Sequence, residues 1–166
     1  GYKLIRQCIK ENIFVTTVPG ASSIISALQL SGFPINGFVF VGFAPKSKKK
    51  LFDLLKHIAS EKRTVVFFVS SHKISQTLTG MSEVLPDRKI SVCKEITKLN
   101  EKVFYGFPEK VLNVILSNKK YSLGEFVVVI EGEKNITNLD KKNISSEAEK
   151  IIKRLLEKFS LTETVE

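Results

Sequence analysis

The sequence predicts an α/β domain built on a mixed sheet, and three observations carry that prediction. Short β-branched or wholly apolar runs alternate with stretches of helical composition from residue 14 to residue 131. Two of the runs, at 64–69 and 126–130, are apolar without a break, which suits strands covered on both faces by helices. The gap between the runs at 89–94 and 102–105 is short, which permits an antiparallel pairing late in the order.

Leu4, Ile5, Cys8 and Ile9 fall at helical spacing from the first residues, with no charged leader or small-residue cleavage site, so the chain reads as starting inside a longer protein. Residues 14–18 predict a β-branched strand that stops at Pro19 and Gly20, and residues 21–30 a helix that ends at Ser31 and Gly32 before Pro34. A second strand is expected over 37–43. Ser47 then caps a helix whose Leu51, Leu54, Leu55 and Ile58 form one apolar stripe. After the strand at 64–69, Ser71 is expected to cap a helix running through Leu78. Strands at 89–94 and 102–105, a helix at 108–116 with proline in its first turn, and a strand at 125–131 complete the sheet. From residue 133 the composition turns to Glu, Lys, Asn, Thr and Asp, which predicts a linker over 133–145. A capping box at Ser146 and Glu149 opens an amphipathic helix within 146–166, the start of a helical segment that reads as cut short.

With 166 residues and 43% hydrophobic content, the chain can bury one ordinary core. Its apolar runs fall short of the roughly 20 residues that cross a bilayer. Cys8 and Cys93 show no paired spacing, which argues against a disulfide framework or metal site and for a reducing cytoplasm. The net charge is +9, and an anionic partner such as nucleic acid is favoured. That charge is unevenly placed. Residues 133–166 carry seven basic and seven acidic side chains, whereas residues 40–75 carry eight basic and two acidic ones. The stretch 40–75 is therefore the candidate anion-binding face.

Four groups of residues are candidates for chemistry, each with a plainer reading beside it. Pro19, Gly20, Ala21, Ser22 and Ser23 place backbone N–H groups and hydroxyls at a helix start, where a ligand can come close; on local grounds an ordinary helix N-terminus is the favoured explanation. Gly42, Phe43, Ala44 and Pro45 lie at a strand end, where open α/β sheets bind ligands, and lead into Lys46, Lys48, Lys49 and Lys50, which suit phosphates or simple solvation. Ser70, His72 and Lys73 follow another strand end; His72 could serve as a base, a donor to RNA or a helix-terminus residue. Lys94, Glu95, Lys98 and Glu101 crowd ionisable groups between the end of one strand and the start of the next, as an ion-paired turn also would. Glu125, after Gly124, has the position of a structural strand entry, and His57 that of a surface residue.

In order along the chain, VPGASS, LSGFP, FVFVGFAPKSKKK, TVVFFVSSHKI, DRKISVCKEITKLNE and GEFVVVIEG resemble successive blocks of the ribosomal RNA 2′-O-ribose methyltransferase branch of the tetrapyrrole methylases. The resemblance runs from Gly1 to about Gly132. It implies the C-terminal part of a two-domain fold, with residues 1–18 a remnant of the N-terminal domain and 19–132 the second domain. It also implies S-adenosylmethionine bound between the domains, a cytidine of small-subunit ribosomal RNA as substrate, and a homodimer. By resemblance Pro19, Gly20, Ala21, Ser22 and Ser23 lie beside the cofactor, with Gly42, Phe43 and Ser70 on further cleft-facing segments, and Lys46, Lys48, Lys49, Lys50 and Lys73 face RNA. Glu95, Lys98 and His72 are the catalytic candidates. The chain departs from the family pattern at Val69-Ser-Ser-His-Lys73, where Glu-Ser-Pro-His-Arg is expected, and in carrying lysines where an arginine should follow the glycine-proline loop. Lysine keeps the charge and loses the bidentate fork. A tetrapyrrole or protein methyltransferase, and a basic RNA-binding module without catalysis, are the competing readings.

Overall fold

A computed structural model describes residues 1–134. Helices α1 (Tyr2–Lys10) and α2 (Ser23–Ser31) precede β1 (Phe38–Phe43), α3 (Lys48–Ala59) and β2 (Thr64–Ser70). A 3-10 turn at Ser71–Lys73 leads into α4 (Ile74–Val84), then β3 (Ile90–Lys94), β4 (Lys102–Gly106), α5 (Pro108–Leu116) and β5 (Glu125–Ile130). The five strands form one mixed sheet in the order β1-β2-β5-β3-β4. Only β1 and β2 pair in parallel; β5 lies antiparallel to both β2 and β3, and β4 antiparallel to β3. The late antiparallel pairing expected from the short gap is the β3–β4 ladder, with Cys93 opposite Val103.

Side-chain alternation divides the core into two layers. Val65, Phe67 and Val69 of β2 and Phe126, Val128 and Ile130 of β5 face α3, α4 and α5, where Leu51, Leu55, Leu78 and Ile115 are buried against them. Val66, Val127 and Val129 face the other way, onto Ala27 and Leu28 of α2. This is why those two strands carry polar residues only at their ends, Thr64, Ser70 and Glu125: both faces of their interiors are covered.

The expected strand at 14–18 does not form. A strand is stabilised by the ladder of a neighbour and by cross-strand contacts, and no described strand pairs with this segment, whose Phe14 and Val18 are 88% and 89% exposed. Helix α2 starts at Ser23, later than expected, and ends at Gly32 in the left-handed conformation. Ser71 does not cap the next helix: it opens the 3-10 turn, and α4 runs on to Val84 rather than stopping at Leu78. Nor does the fold let go at residue 133, where the Glu133 N–H donates to the Glu61 carbonyl at 2.7 Å and its carboxylate meets Arg88 at 2.7 Å. The remainder of the expected linker and the helix within 146–166 lie outside the described residues.

Just before β2, Glu61 accepts both the side chain and the backbone N–H of Arg63, which lowers its carboxyl from the ordinary 4.5 to about 2. A folded-state value below the unfolded one stabilises the fold above the ordinary carboxylate range, and the contribution is lost as pH falls through about 2. We expect the Glu61 carboxyl carbon to titrate near that value by NMR and to move back toward 4.5 in Arg63→Met. An ordinary midpoint in the intact protein would contradict the pairing.

Candidate functional site

Because β1, β2 and β3 run one way and β4 and β5 the other, the C-terminal ends of the first three meet the N-terminal ends of the last two at one end of the sheet. Ser70 pairs with Glu125, and Lys94 with Lys102 and Phe126, at this end. Ligands of open α/β sheets collect at such strand ends, where backbone groups leave the ladder and loops can be shaped freely. Every loop singled out from the sequence after residue 40 therefore converges here.

Two recesses lie side by side. The first, about 580 Å³, is walled by Ser23 from α2, Phe43 from β1, Phe68 and Ser70 from β2, His72 from the following turn, and Glu125. The Phe43 and Phe68 rings pack with centroids 5.1 Å apart, making an apolar wall beside the two serine hydroxyls. The structure thus gathers Ser23, Phe43, Ser70 and His72 into one cavity. Pro19, Gly20, Ala21 and Ser22 approach α2 as an extended segment outside its lining, and Ser22 makes no side-chain cap bond. Gly42 also stays outside the lining; with φ of 88° it occupies the irregularity between Phe40 and Phe43 that aims Phe43 at the cavity.

The basic run sits on the first turn of α3. Ser47 caps it, its hydroxyl accepting the Lys50 N–H at 3.2 Å, while Lys48 lies over the Phe52 ring at 5.6 Å. Exposed Lys46, Lys48, Lys49 and Lys50 with no acidic residue in that turn oppose the helix dipole, an arrangement that an anion would relieve. Ser47→Ala should cost about 1 kcal/mol in urea denaturation; an unchanged midpoint would mean the cap contributes nothing. Lys73 is turned to Gln76, its Nζ donating at 2.9 Å.

Between the two recesses stands a bridge that the sequence suggested only as an ion-paired turn. Lys98 Nζ reaches Glu95 Oε1 at 3.1 Å and Glu125 Oε2 at 3.0 Å, and Glu95 Oε1 also accepts the Glu125 N–H at 2.8 Å. That backbone N–H, followed by Lys98, holds the Glu95 carboxyl below its usual range, while Glu125 and then Glu95 raise the Lys98 ammonium above its own. Glu95 and Thr97 both sit in the left-handed region, at φ of 50° and 66°. Gly124, at φ of 108°, leaves room for the Glu95 side chain: a Cβ there would lie 2.7 Å from Glu95 Cγ. A carboxylate this committed is a weak proton acceptor and an ammonium this well paired holds its proton, so the bridge is an array of fixed charges.

The second recess, about 440 Å³, lies beyond the bridge and shares Gly124 with the first; Lys94, Lys102, Lys120 and Tyr121 line it. Sequence reasoning passed over Lys102, Lys120 and Tyr121, as well as Phe68, and took Lys94 only as part of an ionisable cluster at a strand end. The signal for Lys94 was the alternation of β3, which puts it in line with Ile90 and Val92.

Among known proteins, the family model for Tetrapyrrole (Corrin/Porphyrin) Methylases matches residues 1–112. The Ribosomal RNA small subunit methyltransferase I of Thermotoga maritima is 38% identical over 133 residues, which cover 80% of this chain and 59% of that protein. The protein of the same name from Haemophilus influenzae is 35% identical over 162 residues, 97% of this chain and 56% of its own length. The chain thus spans little more than half of these relatives. Among solved structures, the methyltransferase CobJ superposes with a TM-score of 0.53 at 15% identity, over 79% of this chain and 56% of that one. Cobalt precorrin-4 methyltransferase does so with 0.52 at 16% identity, over 77% and 56%. These two likenesses are of fold.

Proposed function

The chain belongs to the tetrapyrrole (corrin/porphyrin) methylase family, and from that premise we propose that it is part of a longer two-domain protein that methylates the ribose 2′-oxygen of a cytidine in small-subunit ribosomal RNA. The observation that carries the reading is that a ligand-sized cavity and the lysine-rich first turn of α3, which follows β1, lie at the same end of the sheet. The relatives named as small-subunit ribosomal RNA methyltransferases support the substrate.

The methyl donor we propose is S-adenosylmethionine, and the cavity suits it. Its volume of about 580 Å³ lies in the range of small-molecule sites, and it combines aromatic faces with a few hydroxyls, as such sites do. Phe43 would supply apolar contact, Ser23 and Ser70 hydrogen bonds, and Pro19, Gly20, Ala21, Ser22 and Gly42 the backbone leading up to it. When bound, this donor supplies a sulfonium methyl that passes to the attacking oxygen. Lys46, Lys48, Lys49, Lys50 and Lys73 hold RNA phosphates and orient the ribose. His72, which lines the cavity, accepts the 2′-hydroxyl proton on an imidazole nitrogen, since an unassisted alcohol is a poor nucleophile. Glu95 and Lys98 position the loops around it.

Residues 1–18 are, in this proposal, the end of a preceding methylase domain. Helix α1 buries none of its residues, which accords with a partner surface in that domain. The whole protein acts as a cytoplasmic homodimer; among the described residues no helix is long and apolar enough to cross a membrane. The test is transfer of labelled methyl from S-adenosylmethionine to small ribosomal subunits, by this chain and by the chain extended through any reading frame preceding Gly1. Label at a ribose 2′-oxygen with the extended protein alone is the expected result. RNA binding without label from either would favour a non-catalytic module.

A further inference from the structure

Lys94 is the one lysine of the described chain in the buried core, 5% exposed at the end of a strand that is otherwise apolar on its face. An ammonium has three donors, and burying it without an anion is costly. Its hydrogen bond is a single long one, to the Asn100 carbonyl at 3.5 Å; the Glu95 carboxylate lies near enough to feel its charge, yet no carboxylate among the described residues pairs with it directly. The two carboxylates lining the same recess are engaged elsewhere, Glu95 by Lys98 and the Glu125 N–H, and Glu101 by the Thr97 N–H. Apart from Asn100, whose carbonyl accepts the Lys94 bond, the remaining polar side chains there, Lys102, Lys120 and Tyr121, can all donate. Lys102 is pinned against Tyr121, with Nζ 4.2 Å from the ring centroid and 2.8 Å from Oη, so its position is set in advance. The Tyr121 hydroxyl accepts that bond and keeps its own proton to donate. Lys120 stands exposed at the rim, and Leu99 and Leu123 give apolar walls.

We propose that this recess binds a phosphodiester group of the RNA strand, with Lys94 as its buried cation and Lys102, Lys120 and Tyr121 completing the donor set. At about 440 Å³ it has room for the phosphate and an attached ribose. The proposal rests on the RNA reading and deepens it. Because the recess and the donor cavity share Gly124 and flank the Glu95–Lys98–Glu125 bridge, a strand anchored by its phosphate on one side presents its sugar toward the other.

The experiment measures binding of a small-subunit ribosomal RNA oligonucleotide to the 166-residue chain by fluorescence anisotropy across a salt series, beside binding of inorganic phosphate followed by NMR. Lys94→Met and Lys120→Ala should each weaken RNA binding about tenfold, as loss of one charge-assisted bond does. Each should also flatten the slope of log affinity against log salt by about 0.7–0.9, and Lys94→Arg should restore it. Should Lys94→Met not fold, Lys120→Ala, a surface change, decides. Affinity and slope unchanged in both variants would overturn the proposal. If the parent chain binds no RNA yet binds phosphate in a Lys94-dependent way, the RNA reading falls and the site stands as one for free phosphate. If it binds neither, both fall.

Discussion

Gly132→Ala should destabilise the domain by roughly 3 kcal/mol, at the upper end of overpacking costs, because, of the glycines described, it has the closest contact for an added Cβ. A Cβ at this position would lie 1.8 Å from the Lys62 carbonyl oxygen and 2.5 Å from its carbon, both backbone atoms that no rotamer change can move. The neighbouring chain has no slack to yield. The Glu131 N–H is tied to the Lys89 carbonyl at 3.0 Å and the Glu133 N–H to Glu61 at 2.7 Å. Arg88, itself buried, donates to the carbonyls of Glu131 at 2.6 Å and Ala59 at 2.7 Å. Relief therefore requires the end of β5 to leave the segment before β2, with loss of those bonds. Urea denaturation measures this directly, and Gly132→Ser should behave alike because any Cβ meets the same atoms. A midpoint indistinguishable from the parent would show that the close approach is not a feature of the folded protein.

Glu95→Ala should lower methyl transfer by the extended protein about 100-fold, the scale of a misplacement of about 1 Å at a reacting centre. The carboxylate holds two elements at once, Lys98 and the start of β5, across a loop in which Glu95 itself and Thr97 occupy the left-handed region. Backbone in that region costs about 1 kcal/mol or more per residue and persists only where surroundings over-determine it. Without the side chain the loop relaxes and the wall shared by the two recesses moves. Glu95→Gln keeps an acceptor for the Glu125 N–H and loses the charge facing Lys98, so its activity should fall between parent and alanine. Loss of the partner should also lower the Lys98 ammonium toward its usual range, a readout that a merely destabilised protein would not give. Steady-state kinetics with kcat/KM within twofold of the parent in Glu95→Ala would remove Glu95 from the positioning role.

Much of this fold was legible because its signals are local. The Ser47 cap, Pro108 in a first turn, and the unbroken apolar runs of β2 and β5 each identify an element without knowledge of its neighbours. The cavity around Ser23, Phe43, Ser70 and His72 was legible for a related reason: its residues sit at strand ends, and strand ends of the same direction meet. What was missed depends on pairing across the sheet. Residues 14–18 have strand composition, yet composition supplies no ladder. Lys94 reads as one member of an ion-paired turn until the place of its strand between β4 and β5 is known, and Tyr121 draws no notice until Lys102 is set against it. Ser71 follows Ser70 directly, and either hydroxyl could have opened a helix; the 3-10 turn that intervenes leaves no trace in hydrophobic spacing.

The position of β5 has a consequence for synthesis. It is the last strand of the described chain to leave the ribosome, yet it lies in the middle of the sheet, and β2 and β3 touch only through it. Until residues 125–130 emerge, the nascent polypeptide holds two separate strand pairs, each with an open inner edge able to pair with other chains. The sheet then closes in one late step that joins contacts distant in sequence, a slow topology in which vectorial folding gives little protection.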